Sequence, residues 1–404
     1  MTTTLTARAG RRVSLEMHWF RRLLVLTACV GCAAPAKVPS SEAAPFVVLP
    51  GLFDQQKPSD LGLAAASDTE TILIHGLSEG GDHYVNGVVL TWFKGFLYAQ
   101  WQSSTVDEDS ADTWVAYSRS SDGKHWSTPL ALARGENGPR TTGGWWVSGD
   151  RLVAYINVWP SGLSPKGGNT EYVTSENGLD WSAPKPVLMA DGSPLTGVLE
   201  QDPRALPNGR IVGAAHFQPG LRVAPCYTDD ASGTAGWQRA PFPNLAHPGD
   251  TTRELEPSWY LRADSAVVML FRDQNSSFRK LASISRDRGA TWSAPIVSDM
   301  PDARTKQSAG NLPDGSAYLV GNPVNEKRRS PLVVTLSRDG RSFDKAFLLR
   351  AGSEVPPRRY EGKAKTIGYN YPKSIVAGAY LYVSYATNKE LVELTRVPLT
   401  SLRY

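Results

Sequence analysis

The segment Ser285–Trp292, SRDRGATW, brings together residue types that can do chemistry. Ser285 and Asp287 stand two residues apart, and Gly289 and Trp292 follow at offsets of four and seven from the serine. A hydroxyl beside a carboxylate can form part of a nucleophilic site. The same residue types also build tight turns, because Asp accepts backbone N–H bonds and Gly adopts a left-handed backbone.

Related segments recur along the chain at a nearly constant period. Their closing aromatic residues are 55, 56, 55 and 51 residues apart, at Trp126, Trp181, Trp237, Trp292 and Phe343. An alternating apolar segment precedes each copy and another extended segment follows it, as in a β-hairpin. Five copies at the same place in a local pattern indicate a structural turn whose aromatic ring anchors a sheet.

This period predicts the architecture. A unit of about 50 residues with four short strands matches one blade of a β-propeller. Five blades carry the turn, and the segments after Phe343 supply three strands of a sixth. We expect a strand at Thr69–Gly76 to complete that blade and close the ring. The prediction is all-β: one six-bladed β-propeller of four-stranded antiparallel blades over residues 65–404.

The segment Ser285–Trp292 matches S-x-D-x-G-x-T-W, the Asp box, at every defined position. The array therefore resembles the sialidase (neuraminidase) superfamily, whose six-bladed propellers carry BNR repeats, over about residues 65–404. The resemblance implies an exo-glycosidase acting on a carboxylate-bearing sugar. In that family a Tyr is the nucleophile, a Glu takes its proton, an Asp is the general acid and three Arg bind the substrate carboxylate. Asp boxes also occur in propellers that are not sialidases.

The resemblance assigns a nucleophile and its base. Tyr371, in GYNYPKS at the start of the last blade, matches the family's nucleophile. Tyr369 is the alternative, and it would face the same side of a regular strand. Pro372 departs from the family, which more often has a small polar residue there. Glu256, in RELEPSW, matches the family's glutamate, with Glu254 as its alternative.

Arginines suited to a substrate carboxylate are assigned in the same way. Arg272 ends the apolar segment VVMLF, 16 residues after the candidate glutamate, which is the spacing expected of that pair. Arg329 lies eight residues before an Asp-box serine and matches a second carboxylate-binding Arg, with Arg328 as the alternative. Arg204 lies near the presumed axis, in the segment Glu200–His216 that opens the third blade.

The general acid is expected in the loop Ser104–Asp112, STVDEDSAD, which lies where the family has its acidic residue. Asp107 and Asp109 are the candidate proton donors, and Glu108 between them competes. Three adjacent acids are also typical of a solvated loop.

One family feature is missing. The stretch Gly80–Trp92, equivalent to the family's Arg-Ile-Pro strand, has no Arg and instead contains His83 and Asn86. This departure weakens the expected carboxylate binding. It favours an alternative in which His83, as a substrate-contacting residue, and Tyr371 act as acid and base on a uronate-containing glycan, by elimination or hydrolysis. A further alternative is a non-catalytic carbohydrate-binding propeller. The segment GGWW, Gly143–Trp146, and Trp159 are candidates for a sugar-stacking platform.

The N-terminus indicates export. Within residues 1–31, Arg21 and Arg22 precede the apolar run LLVL. Cys29, in LTAC, or Cys32, in VGC, is expected to carry a lipid after cleavage, with a plain secretory signal as the alternative. We expect residues 32–64 to form a flexible tether. The expected location is a bacterial membrane, facing the periplasm or the cell surface.

Composition excludes several other classes. Residues 1–31 hold five Arg and one Glu, so the rest of the chain carries equal numbers of basic and acidic residues. No nucleic-acid partner is therefore predicted. Apart from Cys29 and Cys32 the chain has only Cys226, and no Cys/His spacing suggests zinc, so we expect no metal and no cofactor. The expected partners are an acidic glycan and, through the lipid, a membrane; we expect a monomer.

Overall fold

The computed structural model describes residues 44–135 and 138–404, which form six large β-sheets and one small two-stranded pairing. The predicted leader, with Cys29 and Cys32, lies outside the described residues. Within them the only helices are two short 3-10 turns, Gly352–Glu354 and Leu399–Leu402. None of these described helices has the length and apolar character needed to cross a membrane.

Strands are numbered along the chain, and β1 (Val47–Val48) and β2 (Glu70–Gly76) precede the first blade. Blade I comprises β3 (Tyr84–Phe93), β4 (Phe96–Ser104), β5 (Trp114–Ser120) and β6 (Leu130–Ala133). Blade II comprises β7 (Arg140–Ser148), β8 (Arg151–Val158), β9 (Asn169–Ser175) and β10 (Lys185–Pro186). Blade III has a divided inner edge, and comprises β11 (Gly197–Leu199), β12 (Arg204–Ala205), β13 (Ile211–Phe217), β14 (Arg222–Thr228) and β15 (Gln238–Arg239).

The second half of the chain repeats the pattern. Blade IV comprises β16 (Glu254–Leu261), β17 (Val267–Asp273), β18 (Arg279–Ser285) and β19 (Ile296–Pro301). Blade V comprises β20 (Ser308–Asn311), β21 (Ala317–Gly321), β22 (Leu332–Ser337) and β24 (Lys345–Arg350), with the short β23 (Ser342–Phe343) paired to β1. Blade VI comprises β25 (Tyr369–Ala377), β26 (Tyr380–Thr387), β27 (Leu391–Pro398) and β2. The predicted six-bladed all-β propeller is confirmed, and β2 closes the ring by pairing antiparallel with β27.

The core lies between neighbouring blades, because each sheet packs against the next. Strand β13 is buried along its whole length. One apolar cluster joins blades II and III through residues that include Tyr155, Leu199 and Trp237. The indole N–H of Trp145 donates to the carbonyl of Val89 at 3.0 Å, which ties blade II to blade I. The many Trp and Tyr of the sequence thus serve mostly as packing between blades.

The Asp boxes are turns between the third and fourth strands of their blades, as predicted. The Asp287 carboxylate accepts hydrogen bonds from the Ser285 hydroxyl at 2.8 Å and from the Thr291 N–H at 2.9 Å. Gly289 has φ +83° and donates its N–H to the Ser285 hydroxyl. Trp292 is buried and donates its indole N–H to the Gly289 carbonyl. The polar side chains of the motif are therefore used to hold the turn.

The expected flexible tether is wrong for residues 46–64. Val47 and Val48 pair with Ser342 and Phe343 in a parallel bridge, and Phe46 packs edge-on against the ring of Phe343. Phe53 and Leu61 belong to the same apolar cluster as core residues of blades IV and V. This packing follows from the apolar residues of FVVLPGLFD, which bury well against an open sheet edge. The compact unit accordingly includes residues 46–64 together with the six blades.

Candidate active site

Glu256 and Tyr371 stand at equivalent irregularities of two inner strands. The register of β16 shifts between Leu255 and Ser258, and that of β25 shifts between Asn370 and Lys373. Both residues have φ of 54°, a left-handed backbone that is costly for a side chain larger than glycine. Each is followed by a proline, which has no N–H and so loses no ladder hydrogen bond inside a bulge. The two bulges turn both side chains into one cavity at the end of the ring.

Arg272 connects these two side chains. Its Nη1 lies 3.1 Å from Glu256 Oε2 and 3.4 Å from the Tyr371 hydroxyl. Its Nη2 donates to Gln274 Oε1 at 2.8 Å. Arg272 occupies this place because it is the penultimate residue of β17, whose apolar segment is buried between blades. The structure thus brings three of the residues expected from the sequence into contact.

The electrostatics of the two oxygen groups differ. Burial opposes ionisation of Glu256, but the charges of Arg272 and Lys306 and a hydrogen bond from Tyr371 outweigh it and lower its pKa to about 2. Burial, together with the negative charges of Glu256 and Glu108, raises the pKa of Tyr371. At neutral pH the site therefore holds a carboxylate beside a neutral phenol, the arrangement in which the carboxylate can take the phenolic proton.

Cations surround the Tyr371 ring. The charged groups of Arg329, Lys306 and Lys389 lie 5.1, 5.3 and 5.3 Å from its centroid. Such contacts stabilise negative charge that develops on the phenolic oxygen. Lys306 and Lys389 were not found by sequence reasoning. Lys306 stands two residues before Ser308, the first residue of β20. Glu256 and Tyr371 likewise stand two residues before the positions at which regular strand pairing resumes after each bulge. An alignment of the blades would therefore have located Lys306.

Arg329 is at the site and its alternative is not. Arg329 is buried and its Nη1 donates to Asn370 Oδ1 at 2.6 Å, whereas Arg328 pairs with Glu326 at the surface. A further arginine, Arg304, was not expected. Burial and the charges of Arg272 and Arg329 lower the pKa of Arg304. Its Nε is buried and has no hydrogen-bond partner in the described part of the chain.

Arg304 owes this position to the loop between blades IV and V. Its neighbours Asp302 and Ala303 donate their N–H groups to the carbonyls of Phe278 and Asn322, which lie in the loops that follow Arg272 and precede Arg329. The third arginine near the pair thus comes from blade V's entry loop and not from blade I. No composition signal marks it, because its role depends on two loops that are distant in sequence.

The cavity has a volume of about 580 Å³, in the range of small-molecule sites. Its wall includes Glu256, Arg272 and Tyr371. Trp159 adds an aromatic ring to the wall, held by a hydrogen bond from its indole N–H to the Thr141 hydroxyl at 2.8 Å. A sugar that enters this cavity meets both charged groups and an apolar ring.

A second group of ionisable residues lines the same cavity. His216 Nε2 lies 2.8 Å from Glu200 Oε1, and Lys306 Nζ lies 2.9 Å from Glu200 Oε2. Burial opposes ionisation of Glu200, but the charges of Lys306 and His216 outweigh it and hold its pKa far below the usual range. Glu200 and His216 are the ends of a segment in which sequence reasoning singled out Arg204 and gave His216 no role.

The acidic loop is only partly at the cavity. Asp107 does not line it; its carboxylate accepts the N–H groups of Asp109 at 3.1 Å and Lys363 at 2.9 Å, so it holds the loop. Glu108 and Asp109 do line it. Glu108 is paired with Lys389, and Asp109 with Lys363 and Lys166. The hydrogen bond from Lys363 lowers the pKa of Asp109 despite partial burial.

Four other candidates face elsewhere. His83 stacks on Tyr360 at 3.9 Å and is not part of the cavity wall. Arg204 lies over Trp259 and beside Asp202, in a separate small pocket. The structure therefore places neither residue at the cavity that Tyr371 and Glu256 line. The alternatives Tyr369 and Glu254 are also excluded, because the Tyr369 hydroxyl donates to Ala351 and the Glu254 carboxylate accepts from Asn244 and Leu245.

Comparison with known proteins agrees with this architecture. Residues 95–383 match the model of the BNR repeat-like domain, so the chain belongs to that family and to the sialidase-like propellers. No curated protein gives a match. Similar solved structures include a sialidase (TM-score 0.57, 18% identity over 88% of this chain and 35% of that one) and the intramolecular trans-sialidase of Ruminococcus gnavus in complex with oseltamivir carboxylate (0.60, 12%, 86% and 99%).

A Dyadobacter fermentans protein of unknown function is similar as well (TM-score 0.63, 15% identity, 82% of this chain and 99% of that one). The chain spans about a third of the length of the first sialidase named above. At these identities the likeness shows the fold, and the chemistry has to be argued from the residues of this chain.

Proposed function

We propose that the chain is an exo-acting glycoside hydrolase of the sialidase type, acting on a sugar that bears a carboxylate. The observation that carries the proposal is the Arg272 nitrogen that contacts both Glu256 and Tyr371 at the wall of the cavity. The family membership and the sialidase-like fold support a glycan as substrate.

The arginines supply the binding of the sugar carboxylate. Arg272 and Arg329 both approach Tyr371. Burial lowers the pKa of Arg304, which is close enough to both for their positive charges to lower that pKa further. A guanidinium matches a carboxylate in a two-pronged hydrogen bond, and a group of them holds it in a fixed orientation. Arg304 takes the place of the arginine that blade I lacks.

The chemistry follows from the Tyr371–Glu256 pair. The phenolic oxygen attacks the anomeric carbon while its proton moves to Glu256, and the bond from that carbon to the leaving oxygen breaks. Because burial raises the pKa of Tyr371, proton loss has to accompany attack, and the ionised Glu256 is ready to accept the proton. Water then cleaves the sugar–tyrosine bond, so the anomeric configuration is retained.

The proposal is tested by incubating the purified protein with sialosides and with uronate-containing glycans. We expect release of a free acidic monosaccharide of retained configuration, measured by chromatography and NMR. Binding to these glycans without any product would contradict hydrolysis and favour a carbohydrate-binding propeller.

Tyr371→Phe tests the nucleophile. Removing the hydroxyl deletes the attacking oxygen but keeps the ring that the cations surround, so we expect kcat to fall at least about 1000-fold with the fold intact. Tyr369→Phe is the matched control, because it removes a hydroxyl two residues away that bonds the Ala351 carbonyl outside the cavity. Full activity in Tyr371→Phe would exclude the assignment.

A second candidate is elimination from a uronate glycan by a His and a Tyr. A mechanism that uses His83 as the acid or base has no support, because His83 is outside the cavity. His216 and Tyr371 both line the cavity, so they are the pair that could carry out elimination. Elimination would leave a double bond in the product, which absorbs ultraviolet light. Absence of that absorbance among the released sugars decides for hydrolysis.

We also propose that the protein is exported and lipid-anchored through Cys29 or Cys32, which rests on the leader sequence alone. Labelling cells with a tagged fatty acid tests this proposal. We expect one of the two variants Cys29→Ser and Cys32→Ser to abolish incorporation of the label, and the other to leave incorporation unchanged. Equal labelling of both single variants and the double variant would contradict it.

A further inference from the structure

The cavity holds a second acid–base group besides the Tyr371–Glu256 pair. Hydrolysis needs a proton on the leaving oxygen, since an alkoxide leaves poorly from carbon. The loop acids are unsuited to supply it. Asp107 is bound to backbone N–H groups away from the cavity, Glu108 is held in an ion pair with Lys389, and the hydrogen bond from Lys363 lowers the pKa of Asp109.

His216 is oriented as an acid–base residue. Its side chain and that of Glu200 are each about 9% exposed, and they meet at 2.8 Å through Nε2. Because Glu200 is ionised and only accepts, Nε2 must carry the hydrogen. Nδ1 is then the nitrogen that gains and loses a proton, and no described residue forms a hydrogen bond with it.

Lys306 links this group to the Tyr371 side. Its Nζ contacts Glu200 at 2.9 Å and lies 5.3 Å from the Tyr371 ring centroid. His216, Glu256 and Tyr371 all line the same cavity, so a sugar within it can contact both the nucleophile and the imidazole. Lys306 also anchors the Glu200 carboxylate, which keeps it fixed against the imidazole.

We propose that His216, positioned by Glu200, is the proton donor to the leaving group in the hydrolysis proposed above, on which this inference rests. The imidazolium Nδ1–H protonates the glycosidic oxygen as its bond to the anomeric carbon breaks and the bond to the Tyr371 oxygen forms. The neutral imidazole then takes a proton from the water that attacks the same carbon. Tyr371 leaves and regains its proton from Glu256, so the enzyme returns to its starting state.

The test compares two glycosides of one acidic sugar, a nitrophenyl glycoside and an alkyl glycoside. Nitrophenolate leaves without protonation, whereas an alkoxide does not. We expect His216→Gln to lower kcat/KM for the alkyl glycoside about 100- to 10,000-fold and for the nitrophenyl glycoside less than about 10-fold. With the nitrophenyl substrate, a burst and a glycosyl adduct on Tyr371, seen by mass spectrometry, are expected because the base for the second step is missing.

His75→Gln is the matched control, because His75, in β2, stacks on Trp101 of β4 and does not line the cavity. It should leave both substrates' kinetics unchanged. Glu200→Gln keeps a hydrogen-bonding partner for Nε2 but removes the charge, so we expect it to shift the alkaline limb of the kcat/KM profile for the alkyl glycoside to lower pH. This variant keeps the test decisive if His216→Gln does not fold.

Equal losses on both glycosides, or an unchanged pH limb in Glu200→Gln, would overturn the role of His216 while the hydrolase function stands. Failure of the wild type to cleave either glycoside would overturn the proposed function itself, and the role of His216 with it.

Discussion

Two pairs of alternative residues in the sequence are resolved by a single kind of backbone feature. Glu254 and Glu256, like Tyr369 and Tyr371, are two residues apart and would share a face of a regular strand. The bulges after Leu255 and Asn370 break that rule, so one member of each pair faces the core and the other the cavity. The sequence predicted the segments, but only the resemblance to sialidases chose between the members.

The residues that sequence reasoning missed have a shared cause. Arg304 and Lys306 come from the loop that enters blade V, and His216 comes from the end of β13 in blade III. They approach the residues of blades IV and VI only when the ring closes. His83 was favoured because it lies in the stretch where an arginine is missing, yet it packs on Tyr360. Spacing within one blade is readable from a sequence; convergence of several blades on an axis is not.

The low pKa of Glu256 predicts a pH-dependent contribution to stability. The folded pKa of about 2 is below the usual value of 4.5, so the ionised form stabilises the fold above about pH 4.5, and this is lost as the pH falls toward 2. Glu256→Gln cannot titrate. We expect the free energy of unfolding of the wild type to exceed that of Glu256→Gln by up to about 3 kcal/mol near pH 6, with the difference shrinking between about pH 5 and pH 2.

Urea unfolding at several pH values measures this difference. Glu79→Gln is the control, since Glu79 is exposed and has no partner among the described residues. A constant gap between wild type and Glu256→Gln across this range would show that the Glu256–Arg272 pair does not depend on ionisation.

At the scale of elements, the Asp-box turns pack each blade against its neighbour. A Cβ added at the glycine of four turns would come within about 3.2 Å of a tyrosine of the preceding blade, and at Gly289 it would meet Val212. The glycine thus permits both the left-handed backbone and close contact. Because the backbone conformation and the close packing both require glycine, the repeat can be recognised in the sequence. The positions that line the cavity differ in residue type between blades, for example Gly87 in blade I and Tyr371 in blade VI.

Asp287→Ala tests the scaffold role of the motif. The substitution removes hydrogen bonds to Ser285 and to the N–H and hydroxyl of Thr291, so we expect a loss of about 1–2 kcal/mol in unfolding free energy. The turn joins β18 to β19, at the opposite end of the strands from the Arg272 loop, so kcat and KM should not change. Denaturant unfolding and steady-state kinetics check both.

Asp299→Ala is the matched control, an exposed position in β19 without partners in the described chain. It should leave stability within about 0.5 kcal/mol of the wild type. A large loss of kcat in Asp287→Ala at full stability would instead place the Asp box in the catalytic machinery.

At the scale of the whole molecule, the N-terminal part of the described chain is used twice. Strand β2 closes the ring with β27, as the repeat count predicted. Residues 46–64, expected to be a tether, cover the outer edge of blades IV and V. The composition of this segment led to the prediction of a tether, because Pro, Gly and polar residues are mixed with the few apolar side chains that pack against the blades. The surface that these apolar side chains contact is distant in sequence, so a local pattern does not indicate the packing.

Phe46→Ala tests whether this covering segment is part of the folded unit. Phe46 is about 1% exposed and packs on Phe343, so truncation leaves a cavity in the cluster shared with blades IV and V. We expect a loss of about 3–5 kcal/mol in unfolding free energy. Val47→Ala, at a neighbouring position that is 47% exposed, should cost less than about 1 kcal/mol. Equal, small losses in both variants would mean that residues 46–64 do not contribute to the core, and would restore the tether that their composition first indicated.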